Sequence, residues 1–380
     1  MKYLAFVALA AMVFSGCQDT TQPNQDSYNQ PALSEVEGEI GPGALYALFR
    51  PAGWNGDLVV YAHGYVFPDA PIALPDDIDA LREGILELGF GVAYSSYSEN
   101  GFAIKDGLIR TRQLIGLFTS KLGRPRNTYI IGHSLGGMVT LMAAEQNPGL
   151  FAGAMPMCSL VGGSRLETDY IGHVRVLFDY FYPDIIPGAP TAPSPDIDFN
   201  DLIPTIIGAI FMNPAAAFEL AGVEQASIEF VGFTELLTTI LTALGFNFEA
   251  TNDIIERAHG HSVFDNTATV YAGSSNDAAL NAGVERIAST PDADNTLEHW
   301  YQPDGKLSFP VLTLHTTRDP LVPLFHELAY AAIVDAAGKS DLLVQRAINR
   351  FGHCAFTLAE QIDAFQDLVN WVENGVVPTP

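Results

Sequence analysis

The sequence predicts an α/β fold: a mostly parallel central sheet flanked by helices, with a large, mainly helical cap insertion. Two observations carry this. In residues 40–159 and again in 306–380, short apolar, β-branched runs alternate with segments of helical apolar spacing. Between them, residues 160–305 break the alternation with a Pro-rich run and longer apolar helical segments. A length of 380 residues is long for one compact core and suits a core that carries an insertion.

Residues 1–17 read as an export signal. Lys2 is a short basic n-region, and Tyr3 to Phe14 is an apolar run too short to span a bilayer. The segment ends Phe14-Ser15-Gly16-Cys17, which resembles a bacterial lipobox. Cleavage before Cys17 would leave Cys17 carrying a lipid anchor; the alternative is an ordinary signal peptide with an incidental Cys. Both readings send the chain out of the cytoplasm. Gln18 follows Cys17, where no Asp signals inner-membrane retention, so the outer membrane is the expected address. Residues 18–39 are polar and start without an apolar period, and read as a flexible tether.

The elements then follow in order. Asp57–Ala62 is a buried strand. Ile78, Leu81, Ile85 and Leu88 make a helix face that Gly89 closes. Phe90–Ser95 is a second strand, and Ile104 to Leu122 keeps helical spacing up to Gly123. Thr128–Ile131 is a strand, Met138, Leu141 and Met142 begin a helix, and Phe151–Met157 is strand-like. After the insertion, Val311–Leu314 is a strand, Phe325–Ala336 a helix and Asp341–Ile348 a strand. Thr357-x-x-Glu360 is a capping box opening the last helix, whose core face is Leu358, Ile362, Phe365, Val369 and Val372.

Composition excludes several classes. With 48% apolar and 16% charged residues the chain is globular, and no fixed-period repeat is visible. The net charge of −26 disfavours nucleic acid and anionic lipid as partners. Contact with a membrane is expected only through the N-terminal anchor.

The strongest chemical signal is Gly132-His133-Ser134-Leu135-Gly136, set between a strand and a helix. A sharp strand-to-helix turn would hold Ser134 exposed as a nucleophile, and the glycines would let strand and helix pack closely. The Leu135 N–H, at a helix N-terminus, would face a developing oxyanion. A bland reading is a tight turn with an idle Ser. Serine needs a base, and His353 alone among nine His follows the last strand and precedes the last helix. Asp319, past the Val311–Leu314 strand, suits the carboxylate that orients it; Asp304 lies at the wrong sheet end and Asp335 inside a helix. The loop after the first strand, His63-Gly64-Tyr65, offers a second oxyanion donor in the Tyr65 N–H, with His63 as a supporting or merely packed residue.

Other features carry weaker signals. His259 and His261 do not make a metal site by themselves, and no metal is expected. Tyr94-Ser95-Ser96-Tyr97 lines the pocket or simply ends a strand. Cys158 ends the strand after the nucleophile helix, and Cys354 follows His353 directly. A Cys158–Cys354 disulfide would tether the His loop to the core in an oxidising compartment; the alternative is two free thiols.

With these residues in the order Ser134, Asp319, His353, the chain resembles the α/β-hydrolase superfamily in its bacterial secreted esterase-like branch. The resemblance covers residues 40–160 and 305–375, not the cap, and rests on the Gly132–Gly136 motif, His63-Gly64, Asp319 and Gly352-His353. The Cys beside the His is similar to feruloyl esterases and tannases. In those the partner Cys precedes the nucleophile, whereas this chain has His133 there. The absence of an Asp nucleophile argues against dehalogenase or epoxide-hydrolase chemistry. The resemblance implies a serine carboxylic ester hydrolase with an acyl-enzyme intermediate, no cofactor, and a small-molecule or polymeric ester substrate. Apolar cap residues Phe211, Phe218, Phe230, Phe233 and Leu237 suggest an apolar or aromatic substrate group. Rival readings are a feruloyl esterase or polyester depolymerase, a thioesterase, a peptidase on the same triad, and a catalytically idle binding lipoprotein.

Overall fold

The computed structural model describes residues 33–194 and 196–380. The expected export signal, Cys17 and most of the expected tether lie outside the described residues.

The described residues begin with a hairpin that apolar spacing does not reveal. Strand β1 (Ser34–Ile40) pairs antiparallel with β2 (Ala44–Arg50), Ser34 opposite Arg50 and Ile40 opposite Ala44. Residues 34–39, read from the sequence as the end of a tether, lie in this strand. The cause is an edge strand of period two: Val36, Gly38 and Ile40 turn inward while Glu35, Glu37 and Glu39 face solvent. Three glutamates in seven residues hid that alternation. Gly41 and Gly43 supply the positive φ of the turn.

From there the expected alternation holds. The order is β3 (Leu58–Ala62), α1 (Asp79–Glu87), β4 (Gly91–Ser95), α2 (Ile104–Lys121), β5 (Thr128–His133), α3 (Leu135–Gln146) and β6 (Gly153–Met157). The pattern resumes with β9 (Val311–Arg318), α10 (Phe325–Ala336), β10 (Leu343–Phe351) and α11 (Leu358–Asn374). The eight strands lie in the order β1-β2-β4-β3-β5-β6-β9-β10, and β2 alone runs against the others.

Both faces of the sheet are covered, as central parallel strands require. Alternate residues go to opposite sides. Tyr129 and Ile131 of β5 join Val59, Tyr61, Leu312 and Leu314 against α1 and α11, where Phe365 meets Phe90 and Tyr129 edge-on at 5.1 and 5.7 Å. Ile130 points the other way, to Met138 and Leu141 of α3 and Ile104 and Leu108 of α2. Helix α3 is buried almost all round, from Leu135 to Ala144, because it crosses the middle of the sheet. Helix α11 starts with the capping box that Thr357 and Glu360 predict, and ends on Gly375 in the left-handed region.

The insertion between β6 and β9 holds α4 (Ser164–Phe181), a two-residue hairpin β7 (Gly188–Ala189) and β8 (Ala192–Pro193), α5 (Phe199–Met212), α6 (Pro214–Gly222), α7 (Phe233–Arg257), α8 (Asp277–Gly283) and α9 (Pro291–Tyr301). It has its own apolar cluster, centred on Val174, Leu177 and Phe178 of α4 and Leu236, Ile240 and Leu244 of α7. Polar pins join it to the sheet domain. Asp253 of α7 accepts the Phe102 N–H at 2.7 Å and pairs with Arg257, which also reaches Glu99 and the Asn100 carbonyl. Glu235 pairs with Arg318 at 3.0 Å.

Candidate active site

Four strand ends build one site at the carboxyl edge of the sheet. After β5 the chain turns sharply, and Ser134 sits at φ 54°, ψ −124°. A side chain rarely adopts that conformation, which costs about 1–3 kcal/mol. The surroundings impose it. The Ser134 N–H donates to the Met157 carbonyl at 2.9 Å, and its own carbonyl starts α3 by accepting from Gly137 at 2.9 Å. Gly132 and Gly136 are needed here for space. A Cβ on Gly132 would run into the Gly136 carbonyl, and one on Gly136 into the Ala62 carbonyl.

The predicted residues are brought together. His353 Nε2 lies 2.9 Å from Ser134 Oγ. On its other side, Nδ1 faces Asp319 Oδ1 and Oδ2 at 3.0 and 2.8 Å. Asp319 is buried, while Ser134 and His353 are partly exposed. Asp319 Oδ1 also accepts the N–H groups of Leu321 and Val322 at 2.9 and 3.0 Å. Burial pushes the Asp319 carboxyl up, but the His353 ring, His315 and the Val322 N–H together hold it below its ordinary value. It is thus a carboxylate, and His353 Nδ1 carries the proton between them. Nε2 is left as an acceptor facing the Ser134 hydroxyl, the arrangement in which a histidine can take a proton from serine.

The two expected oxyanion donors border Ser134. Leu135 N–H opens α3, and Gly64 approaches so closely that a Cβ on it would stand 3.4 Å from Ser134 Cβ. Neither the Leu135 nor the Tyr65 N–H is given to another backbone carbonyl among the described residues. The Tyr65 N–H belongs to the same peptide unit as the Gly64 carbonyl, which His63 Nδ1 holds at 2.8 Å. Tyr97 supports this in turn. Its ring stacks on His63 at 3.8 Å, and its hydroxyl donates to the His63 carbonyl at 3.1 Å. Tyr97, at φ 56°, is fully buried, and these contacts place its ring under the loop. Burial lowers His63 to about 4, so the ring is neutral.

Cys158 and Cys354 form a disulfide. Both have positive φ, as do Ser134 and Tyr97, so four of the seven such non-glycine residues among those described cluster here. The two sulfurs and His353 fall within 4.8 Å of one another, but sulfurs bonded to each other are not thiolate ligands. His133 makes the second brace. Its Nδ1 lies 3.1 Å from the Tyr61 hydroxyl and its Nε2 2.9 Å from Gln361 Oε1 of α11. His133 thus ties the serine turn to the last helix through a hydrogen bond.

One expectation about the surroundings differs. Leu237 packs on the cap's own apolar cluster, and Phe211, Phe218, Phe230 and Phe233 do not line the cap's apolar recess. They cluster at the cap surface, Phe211 61% exposed, with ring centroids of Phe211 and Phe233 5.5 Å apart. The apolar recess of the cap is lined instead by Ile171, Phe246, Ile254, Val263, Phe264 and Phe102, and Ser134 is not among its walls. Phe246 joins it to the site, its ring 5.2 Å from that of Tyr65.

Sequence reasoning also missed a buried polar layer behind Asp319, made of His315, Glu327, His326 and Glu167. No periodicity or motif marks these positions; only the long strand β9, which carries His315 four residues before Asp319, places them.

No protein-family model matches the chain, and no curated protein is significantly similar to it. Solved structures are similar in shape. Feruloyl esterase B from Aspergillus oryzae matches at a TM-score of 0.54 and 15% identity, over 90% of this chain and 80% of that one. An esterase from Aspergillus oryzae matches at 0.53 and 14%, over 91% and 80%. Sheet order, crossover helices and this overlap agree.

The chain has the α/β-hydrolase fold. In this chain the candidate residues follow β5, β9 and β10, so one edge of one sheet positions all three. The insertion after β6 replaces a direct crossover to β9.

Proposed function

We propose that this α/β-hydrolase is a serine hydrolase of carboxylic esters. The observation that carries the reading is the 2.9 Å contact of Ser134 Oγ with a His353 whose tautomer Asp319 fixes. Ser134 Oγ attacks the ester carbonyl as its proton passes to His353 Nε2. The oxyanion is held by the Leu135 and Tyr65 N–H groups. Collapse breaks the bond to the leaving oxygen, which takes the proton from His353, and leaves an acyl group on Ser134. Water then attacks that acyl group, giving its proton to His353, and the acid departs as Ser134 regains its proton.

Ester over peptide is favoured because two similar structures with TM-scores above 0.5 are esterases by name, one of them a feruloyl esterase. The disulfide suits an oxidising compartment and so the exported, lipid-anchored reading of residues 1–17. The test is hydrolysis of p-nitrophenyl esters of graded acyl length by protein lacking residues 1–17, beside Ser134→Ala. Turnover that Ser134→Ala abolishes supports the reading. Equal turnover by both overturns it.

A further inference from the structure

We propose that His315 is a permanently charged, buried imidazolium that sets the charge of Asp319's surroundings and, through Asp319, the basicity of His353. The inference rests on the reading of Ser134, His353 and Asp319 as a catalytic triad. It adds a positioning residue that touches neither substrate nor the reacting atoms.

Hydrogen-bond accounting carries it. His315 is fully buried on β9. Its Nε2 lies 2.8 Å from the Val322 carbonyl, which can only accept, so Nε2 bears a proton. Its Nδ1 lies 3.2 Å from Glu327 Oε1. The other oxygen of that carboxyl, Oε2, already accepts the Thr313 hydroxyl and the Gln345 amide, each at 2.6 Å. Glu327 is thus surrounded by donors, as a carboxylate is. The proton shared between Nδ1 and Oε1 belongs to the stronger base, imidazole. Both ring nitrogens then carry hydrogens. The cation's Nε2 stands 3.8 Å from Asp319 Oδ2. Burial alone would disfavour this charge, but Glu327, Asp319 and the Val322 carbonyl outweigh it and raise the group above its ordinary value.

Besides Glu327 of α10, the titratable groups beside this pair are His326 and Glu167. On α10, His326 accepts the Gly162 N–H at Nδ1, 3.2 Å away, so its only proton is on Nε2, which faces Glu167 Oε2 at 3.0 Å. That ring is neutral, held down to about 3 by burial. On α4, burial and the Asp319 charge push Glu167 well up, so it carries no full charge. The charged groups are then Glu327, Asp319 and His315, two negative and one positive. The cluster holds one net negative charge at rest, which His353 neutralises when it takes the serine proton. Without His315 it would hold two, and the acid limb of the activity would lie at higher pH.

The first readout needs no turnover. In the wild-type protein with 15N-labelled histidine, both His315 ring nitrogens should show directly bonded protons at every pH from 6 to 9. A neutral His315 ring at pH 8 overturns the proposal, whether or not the protein hydrolyses esters. The second readout is the pH profile of kcat/KM. His315→Gln should move the acid limb up by about one pH unit. The double variant His315→Gln with Glu327→Gln restores a single net negative charge and should return the limb to the wild-type position. A folded His315→Gln with an unmoved limb overturns the proposal, as does a double variant that stays displaced. If ester hydrolysis itself fails, Ser134 does not react in any variant while the wild-type nitrogen spectrum still reports on His315.

Discussion

Cys158 and Cys354 are joined across 196 residues of sequence, and the second of them is the direct neighbour of His353. The bond ties the loop that carries the base to the end of the strand beside the serine turn. Cross-links of such long loops stabilise by about 4 kcal/mol, mainly by restricting the unfolded chain. We expect reduction, or Cys158→Ser with Cys354→Ser, to lower Tm by about 5 °C and kcat at least tenfold. Thermal unfolding and ester turnover, with and without reductant, check this. An unchanged kcat after complete reduction would show that the loop holds His353 without help.

Asp319 Oδ1 is committed to the Leu321 and Val322 N–H groups. In Asp319→Asn those donors keep the amide oxygen, and the NH2 group must face His353 Nδ1. The ring then carries its proton on Nε2, pointing a donor at Ser134. We expect kcat to fall by about three to four orders of magnitude, with KM within a few-fold and the fold intact. Steady-state kinetics beside a circular dichroism spectrum measures both.

His63 holds the Gly64 carbonyl, and the same peptide unit presents the Tyr65 N–H. His63→Leu keeps the bulk against Tyr97 and loses that hold. A freely turning peptide would weaken one oxyanion donor, so kcat should fall about 10- to 100-fold with little change in KM. A change in KM alone would mean that the loop binds substrate rather than the oxyanion.

Arg350 and Glu360 brace the same loop from outside. Arg350 donates to both Glu360 oxygens at 2.8 and 2.9 Å, and Glu360 also caps α11 through Thr357. The Arg350 hydrogen bonds lower Glu360 to about 2, chiefly against the opposing pull of partial burial. A carboxyl depressed in the folded state stabilises above its unfolded pKa of about 4.3 and loses that contribution as pH falls. Because the pair is partly exposed, we expect only about 1 kcal/mol from it. Glu360→Gln should therefore lower Tm at pH 7, with the gap to wild type closing between about pH 4.5 and 2. A gap that is constant over that range would place the effect in packing rather than charge.

Much of this architecture was legible in the sequence, because parallel strands and their helices leave plain periods. The Phe325–Ala336 helix and the Thr357 cap lie where side-chain spacing and capping chemistry put them. So do the residues around Ser134, whose glycines are demanded by backbone contacts with Ala62 and Gly136. Three features were not legible. The β1 edge strand hides its apolar face among glutamates. The aromatic residues of the cap read as pocket residues, yet Phe211 and Phe218 turn outward, and composition does not say which way a helix faces. His315, Glu327, His326 and Glu167 come from three separate elements, and nothing local announces that the fold buries them together.

Covalent labelling tests directly whether Ser134 is the nucleophile. Protein lacking residues 1–17 would be treated with a fluorophosphonate at neutral pH and its intact mass and peptides analysed. One phosphonyl adduct on the peptide containing Ser134, absent from Ser134→Ala and strongly slowed in His353→Ala, is the result expected. An adduct on another residue, or no adduct on folded wild-type protein, would contradict it.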